Sequence, residues 1–297
     1  MSKHLHINVV TANGVSSSNR GENENGTLST LQKLVWKGNS HTTISAEAIR
    51  YAMRESWFDS KHKTNRPMSI DKWADPEFKK PERYIDDDVL GFMHPSAKDD
   101  SKVRTGPFQC SKAVSLCPWT GEVSHNFASP SSQHNKGITK KTKEGTDRNV
   151  SNHCRPYQAE FHTTRYQYFL TLTPQNLLAD QYKRTKIVVD TLCELSGVGG
   201  NQGRFRYDFG PEIIVLRWTD DPSPRIGFCF ETDNEGKIHA PDLLLKVESG
   251  DVVSKDVVLG YSTHDLGVED LGKSVKVIKG IKEAASLMLA RIKEDLS

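Results

Sequence analysis

The apolar and polar positions along the chain fall into short periodic segments separated by long polar stretches. Runs rich in β-branched and aromatic residues predict strands at residues 5–11, 108–116, 164–172, 212–218 and 226–231. Apolar residues recurring every three or four positions predict helices at residues 46–57, 180–196 and 281–296. The pattern therefore indicates a mixed α/β protein with several long inserted segments.

The first predicted helix has a well-defined start. Ser45 is a preferred N-cap residue, and Ile44 and Ile49 flank it at the spacing of a hydrophobic staple. Ile49, Met53 and Trp57 then recur every four residues and predict a buried stripe.

Four polar or irregular segments separate or follow these elements. Residues 16–37 predict a polar loop, and residues 58–107 predict an insertion of short helices and loops. Residues 117–163 hold too few apolar residues to supply a core, and loops of that length are usually functional or disordered. Residues 219–297 are predicted to form a C-terminal elaboration.

The order of elements predicts the fold. Without the insertions it is β, α, β, β, α, β, the order of the ferredoxin-like or RRM-like fold, with a long loop replacing the tight hairpin between the second and third strands. We therefore expect an α+β chain in which residues 1–297 form a single RRM-like domain, or palm, with insertions.

Composition narrows the protein class. No apolar run approaches the ~20 residues that a membrane span requires, so no membrane partner is expected. The N-terminus runs directly into a strand without a signal-peptide pattern, which predicts a cytoplasmic protein. The cysteines are odd in number and widely spaced, so we expect free thiols at Cys110, Cys117, Cys154, Cys193 and Cys229.

Charge is unevenly distributed although the net charge is only +2. Residues 1–66 carry nine Lys and Arg against five acids, and residues 121–166 carry seven against four. Residues 69–100 reverse this with nine acids against five bases. The two basic segments are therefore candidates to line one groove, whereas the triplet Asp86-Asp87-Asp88 predicts a solvated face.

Arg50 and Arg54 are one helical turn apart, on the face predicted to be opposite the staple. Two guanidiniums at this spacing suit phosphate oxygens. Exposed helices also carry such pairs without function, and spacing alone leaves both alternatives open.

Several motifs together resemble one family. They are Leu5-His-Ile-Asn-Val-Val, Asn19-Arg20, Lys37-Gly38, Ile44-Ser45-Ala-Glu47-Ala-Ile-Arg50-Tyr-Ala-Met-Arg54, Asp88-Val-Leu-Gly-Phe-Met93, Arg104-x-Gly-Pro-Phe108, and Gly199-Gly200-Asn201 through Pro211-Glu212. The pattern resembles the backbone subunit family of the CRISPR type I Cascade complex, and is most similar to its type I-B, or DevR, branch. The resemblance covers most of residues 5–218.

The resemblance implies a non-enzymatic protein that polymerises along a guide RNA, grips its phosphates and displays bases for pairing with target DNA. Its partners would be the guide RNA, stacked copies of itself and other Cascade subunits. The implied RNA contacts in the N-terminal third are Asn19, Arg20, Lys33, Lys37, Ser45, Arg50 and Arg54. Glu47 replaces the family's usual Gln, and a carboxylate repels phosphate, so Glu47 is not a predicted contact.

The resemblance also identifies residues 58–107 as a finger-like insertion and residues 121–158 as a thumb-like hairpin that reaches over the guide. Basic residues of this hairpin would attract phosphates of any sequence, and they are Lys140, Lys141, Lys143 and Arg148. Phe127 is the candidate wedge that displaces a base, although it equally fits a packing role. A solvated loop without function is the alternative for the whole hairpin.

A glycine-rich turn follows the second predicted helix. Its implied RNA contacts are Gly200, Asn201, Arg204 and Arg206, whereas a helix C-cap and connector is the alternative. Its spacing matches neither a P-loop nor a dinucleotide fingerprint. The histidines and cysteines lack standard ligand spacing, so we expect no metal and no cofactor.

Three rival functions remain. An endoribonuclease like the type III backbone subunits would need an aspartate before the first helix, but the first Asp is Asp59, and only Glu22 and Glu24 lie in that loop. A transcriptional regulator would need a helix-turn-helix, which the pattern does not show. The related subunit that caps the guide's 5′ handle would not explain the long hairpin.

Overall fold

A computed structural model describes residues 2–18, 20–24, 28–67, 72–94, 101–128, 155–200 and 205–296. The strands are β1 His4–Thr11, β2 Gly14–Ser16, β3 Arg20–Glu24, β4 Leu28–Leu31, β5 Lys33–Trp36, β6 Asn39–Ile44, β7 Gly91–His94, β8 Lys102–Thr105, β9 Phe108–Cys110, β10 Ala113–Ser115, β11 Val123–Ala128, β12 Arg155–Glu160, β13 His162–Thr164, β14 Tyr166–Leu172, β15 Pro211–Thr219, β16 Glu231–Thr232, β17 Ile238–His239, β18 Val257–Tyr261 and β19 Lys276–Lys279. The helices are α1 Ala46–Asp59, α2 Ile85–Leu90, α3 Gln181–Glu194, α4 Pro241–Glu248, α5 Val268–Ser274 and α6 Ile281–Leu296.

One large sheet organises the described residues. Its order is β19-β18-β15-β1-β14-β10-β6-β5, and β9 also pairs with β14. β1 is antiparallel to both of its neighbours, with Ile7 opposite Leu170 on one side and Leu216 on the other. Because β1 is central, every residue from Leu5 to Thr11 is buried.

Three helices cover one face of this sheet. Ile49, Met53 and Trp57 of α1 are buried against it, as the four-residue spacing predicted. The Trp57 indole donates a hydrogen bond to Thr191 of α3 at 2.9 Å, which joins the two helices. α6 adds Ile281, Ala285, Met288 and Ile292 to the same core, which confirms its predicted apolar side.

The opposite face of the sheet is covered by residues that follow β15. Asn8 of β1 donates to Cys229 Sγ at 3.3 Å, and Gln167 of β14 donates to the Phe230 carbonyl at 3.0 Å. The strand predicted at 226–231 is wrong, because Phe228 has a φ of 52° and only Glu231–Thr232 is extended. These apolar residues instead turn tightly onto the sheet, where Phe228 packs edge-on against Phe169. The chain itself therefore occupies this face.

Residues 16–37 also differ from the predicted polar loop. They contain β3, β4 and β5, of which β5 forms a tight hairpin with β6. Lys37 and Gly38 both have positive φ, at 49° and 82°, as a two-residue type I′ turn requires. The polar strands β3 and β4 pair with each other, and β4 also pairs with the distant β12, so the local apolar pattern gives little signal for them.

The acidic triplet is buried, and the predicted solvated face is therefore wrong. Asp86, Asp87 and Asp88 lie in α2 and are at most 2% exposed. Asp88 accepts hydrogen bonds from the Leu178 and Ala179 amides at 2.9 and 3.2 Å. The carboxylates thus join the insertion to the central domain, a long-range role that their spacing does not reveal.

No described helix combines the length and apolar character that a bilayer crossing requires.

Candidate nucleic-acid interface

The start of α1 has the predicted geometry. Ser45 is the N-cap, and its Oγ accepts a hydrogen bond from the Ala48 amide at 3.1 Å. Ile44 and Ile49, the two staple residues, are both fully buried. The cap uses the Ser45 oxygen as an acceptor, and the hydroxyl proton can still be donated outward, for example to a phosphate.

Arg50 lies half-buried where α1 meets the insertion. Its Nη2 donates a hydrogen bond to the Leu90 carbonyl at 2.6 Å, at the end of α2. Its other guanidinium N–H groups have no partner among the described residues. Arg50 therefore combines a structural contact with donors that remain available for a phosphate.

Arg54 is not on an exposed face, which corrects the prediction from helical spacing. Arg54 is only 7% exposed, and its Nε lies 3.6 Å from Asp86 Oδ2. Burial lowers the pKa of Arg54, as does the nearby Arg66. The insertion folds over this side of α1, so Arg54 faces α2, and the predicted pair of parallel arginines does not form.

Lys33 at the start of β5 is held by two residues of distant segments. Its ammonium forms an ion pair with Glu160 of β12 and lies 3.9 Å from the Trp119 ring centroid. Glu160 also accepts a hydrogen bond from the Leu31 amide at 2.7 Å. Sequence reasoning missed Trp119 and Glu160, since neither belongs to a local motif.

Lys37 lies in the β5–β6 turn, at the opposite end of β6 from Ser45. With a rise of about 3.3 Å per residue, the six residues of β6 separate them by roughly 20 Å. Lys37 forms an exposed ion pair with Glu231. The structure therefore does not bring Lys37 together with Ser45 and Arg50.

The two basic segments meet in a second sheet of order β11-β12-β4-β3. β11 and β12 form a regular antiparallel pair from Val123–Glu160 to Ala128–Arg155, in the region predicted to form the thumb-like hairpin. β12 also pairs in parallel with β4, where Gln158 lies opposite Leu28. Strands of the basic N-terminal segment and of the segment predicted as a thumb-like hairpin are thus joined in one sheet.

Several predicted contacts fall outside what the structure describes. They are Asn19, Lys140, Lys141, Lys143, Arg148, Asn201 and Arg204. Arg20 begins β3, and Phe127 lies in β11 opposite Pro156, but the side chains of both are outside the described part of the chain. Their predicted roles stay predictions.

The described part of the glycine-rich turn contains left-handed backbone. Gly199 and Gly200 have φ values of 87° and 75°, and nothing lies within 4 Å of a Cβ built on Gly200. Arg206 is exposed, whereas Tyr207 is buried and its hydroxyl donates to the Ala12 carbonyl at 2.7 Å. Burial raises the pKa of Tyr207 well above its ordinary value. The backbone and Arg206 are accessible there, but the tyrosine belongs to the core.

The described residues contain no group of three or more His, Cys, Asp or Glu that is placed to hold a metal ion. Cys110, Cys117, Cys193 and Cys229 are free thiols, as predicted, and Cys154 lies outside the described ranges. Burial raises the pKa of Cys110, Cys193 and Cys229 to about 12 in each case. These three thiols are therefore protonated at neutral pH and are poor nucleophiles.

A family model described as "CRISPR-associated negative auto-regulator DevR/Csa2" matches residues 15–224. The chain belongs to the DevR/Csa2 family. A Myxococcus xanthus (strain DK1622) protein named "CRISPR-associated protein Cas7/Cst2/DevR" is 40% identical over 288 residues, which is 91% of this chain and 90% of that protein. The family that the sequence motifs resemble is thereby confirmed, and the type I-B assignment stays a prediction.

Two solved structures share the fold of this DevR/Csa2 protein. One, titled "CRISPR RNA-guided surveillance complex", has a TM-score of 0.59 at 16% identity. The other, titled "CRISPR RNA-guided surveillance complex, pre-nicking", has a TM-score of 0.59 at 12% identity. Each match covers 97% of this chain and 99% of the other.

In this DevR/Csa2 protein, two of the recognised motifs contact each other. Arg104 donates to Asp88 Oδ1 at 2.8 Å, so the second motif neutralises the buried carboxylate of the first. A Cβ on Gly91 would lie 2.3 Å from the Arg104 carbonyl oxygen, and one on Gly106 would lie 2.4 Å from Leu90. The glycines permit this close backbone approach, and the contact places Leu90 where Arg50 binds it.

Proposed function

We propose that this protein is a non-catalytic backbone subunit of a CRISPR surveillance complex that binds guide RNA through its phosphates. Several copies stack head to tail along one guide, together with other subunits of the complex, and leave guide bases available for pairing with target DNA. Membership of the DevR/Csa2 family and the names of its relatives support this assignment.

The palm in this proposal is RRM-like. Four central strands run in the order β15-β1-β14-β10, and α1 and α3 pack on one face. Counted within the βαββαβ unit this order is 4-1-3-2, with antiparallel neighbours, as a ferredoxin-like unit has. Because residues 226–230 cover the other face, RNA binds at the edge of the palm and not by stacking on the sheet.

The observation that carries the proposal is the sheet β11-β12-β4-β3. It joins the thumb-like hairpin to the basic N-terminal segment, and the ion pair of Lys33 with Glu160 links this sheet to β5. Thr42 of β6 pairs with Lys33 and lies three residues before Ser45. Paired strands thus connect the thumb-like hairpin to the start of α1, and the proposal places a sequence-independent phosphate track along them.

The decisive RNA contacts on this track are Ser45 and Arg50. Arg54 is buried beside Asp86 and has a supporting role between α1 and α2. We test Arg50→Ala against Arg291→Ala, because Arg291 of α6 is also a partly buried residue whose guanidinium donates to one backbone carbonyl, that of Lys255, at 2.8 Å. Affinity for repeat-spacer RNA is measured as a function of salt. Arg50→Ala should weaken binding roughly fivefold and flatten the salt dependence, whereas Arg291→Ala should leave both unchanged. Equal effects of the two variants would contradict the assignment.

Two rival functions have distinct outcomes. Cutting of target RNA in the presence of a divalent metal, abolished by Glu22→Ala or Glu24→Ala, would establish a ribonuclease. The family description also names a negative auto-regulator. Sequence-specific binding of duplex DNA by the isolated chain, without any RNA, would favour that function over the backbone role.

A further inference from the structure

A pocket of about 370 Å³ lies where the end of α1 meets the start of α3. Positive charge dominates its lining, which includes Lys61, Lys63, Arg83, Lys183 and Arg184. Asp180 is the one acidic residue among the described residues that line it, and its Oδ1 accepts a hydrogen bond from the Lys183 amide at 2.8 Å. The pocket therefore has a strong positive potential.

Most of this charge is not neutralised by the protein. In the part of the chain that the structure describes, Lys61, Lys63, Arg83 and Lys183 form no ion pair and are exposed. Arg184 differs, since it lies 3.5 Å from Asp88 and donates to the Glu82 carbonyl at 3.1 Å. Four cations thus face the pocket without an acidic partner.

Helix electrostatics account for only part of the cluster. Lys61 follows α1 in the left-handed region, with a φ of 63°, and a cation there is favoured by the helix dipole. At the start of α3 the dipole instead disfavours cations, yet Lys183 and Arg184 lie there, and the N-cap Asp180 is the acid beside them. Arg184 is offset there by its contact with Asp88, so the unfavourable dipole falls on Lys183, whose exposed charge is available to a bound anion.

The pKa of His62 responds to the same cations. His62 is half-buried at the pocket, and its pKa is lowered first by burial and then by Arg184 and Lys183. A phosphate in the pocket would oppose these cations and raise the pKa of His62, which gives a spectroscopic signal for occupancy.

We propose that this pocket binds backbone phosphates of a second nucleic-acid strand, separate from the strand contacted at the start of α1. α1 has 14 residues. With a rise of ~1.5 Å per residue, its two ends are roughly 20 Å apart, so the two sites are distinct. The inference rests on the proposed function only for the identity of the first strand.

The chemistry of the lining favours a nucleic acid over a protein partner. Three of the four unpaired cations are lysines, which are flexible point charges suited to phosphates of any sequence. The apolar side chains in the lining are those of Ala179 and Ile187, which offer no aromatic or large hydrophobic pocket for a protein hot spot.

The test compares two double variants of the full chain. Lys63→Ala with Lys183→Ala removes two pocket cations, and Lys276→Ala with Lys279→Ala removes two exposed cations of β19 as a matched control. The probe is single-stranded oligothymidine, added to the free chain and to the complex purified with its native partners. The pocket variant should bind roughly tenfold more weakly, and its slope of log affinity against log salt should be shallower by about 1.4. The control should change less than about twofold.

Other readouts distinguish the remaining outcomes. Both variants should keep the melting temperature and the co-purifying RNA of the unmodified protein, and oligothymidine should raise the pKa of His62 measured by NMR.

An equal loss of oligothymidine affinity in both double variants would overturn the proposal, because net charge alone would explain it. Loss of co-purifying RNA in the pocket variant would mean that the pocket binds the first strand, which would overturn the proposal of a second strand. Loss of self-association with unchanged DNA affinity would indicate an acidic protein partner, which also overturns it. Absence of RNA from the unmodified protein would count against the proposed function, but not against the DNA result.

Discussion

Asp88 is the residue on which the junction between the insertion and the central domain depends, so its removal gives a sharp test. Its carboxylate is fully buried and accepts four contacts: Arg104 at 2.8 Å, Arg184 at 3.5 Å, and the amides of Leu178 and Ala179 at 2.9 and 3.2 Å. Asp88→Ala would leave two guanidiniums, 17% and 13% exposed, without their anion. Breaking a buried pair in this way costs about 3–5 kcal/mol.

For a chain of this size each kcal/mol lowers the melting temperature by about 2–4 °C, so we expect a fall of roughly 10 °C. Asp270→Ala is the control, because Asp270 is 78% exposed in its pair with Lys273 and should contribute less than about 0.5 kcal/mol. Urea unfolding and thermal melting of both variants measure the difference. A loss for Asp88→Ala no larger than that of the control would refute the structural role of the acidic triplet.

Three further substitutions test other parts of the account. Burial and the neighbouring Asp86 raise the pKa of Asp87 from 3.8 to about 7. The folded protein therefore binds this proton more tightly than the unfolded chain does. The stability that Asp87 contributes falls as the pH rises from about 4 to about 7. Asp87→Asn should flatten that part of the curve of melting temperature against pH, and parallel curves would contradict the assignment. Gly91→Ala should cost about 2 kcal/mol or more in urea unfolding, because Gly91 has a φ of 72° and no room for a Cβ, whereas Gly197→Ala enters open space and should be nearly neutral. Arg54→Ala should destabilise the fold by about 3 kcal/mol, because it leaves the buried Asp86 without its cation. An Arg54→Ala protein as stable as the unmodified one would mean that this buried contact does not stabilise the fold.

Sequence periodicity predicted the elements whose partners are nearby or whose apolar stripe is strong. The buried stripe of α1, the apolar side of α6 and the central strand β1 follow directly from the spacing of apolar residues. Ser45 was found as a cap because capping is a local interaction within four residues.

Long-range contacts explain the predictions that were wrong. Arg54 and the triplet Asp86-Asp87-Asp88 look exposed in any local pattern, and they become buried only because the insertion folds back on α1 and α3. The polar strand β4 pairs on one side with the neighbouring β3 and on the other with β12, from over a hundred residues away. Phe228 and its neighbours are apolar enough for a strand but are fixed as a turn by the sheet beneath them.

The candidate interface was predicted in part. The motifs located Ser45 and Arg50, but no local signal showed that Arg50 also binds the Leu90 carbonyl or that Lys33 is held by Glu160 and Trp119. The basic pocket between α1 and α3 was missed because its cations come from three separate segments.

The most direct test of the backbone role is to purify the chain with its native partners, extract the bound nucleic acid and sequence it. The account predicts repeat-spacer RNAs of defined length, bound by several copies of the chain per RNA molecule. Absence of nucleic acid, or RNA of random sequence and length, would contradict it.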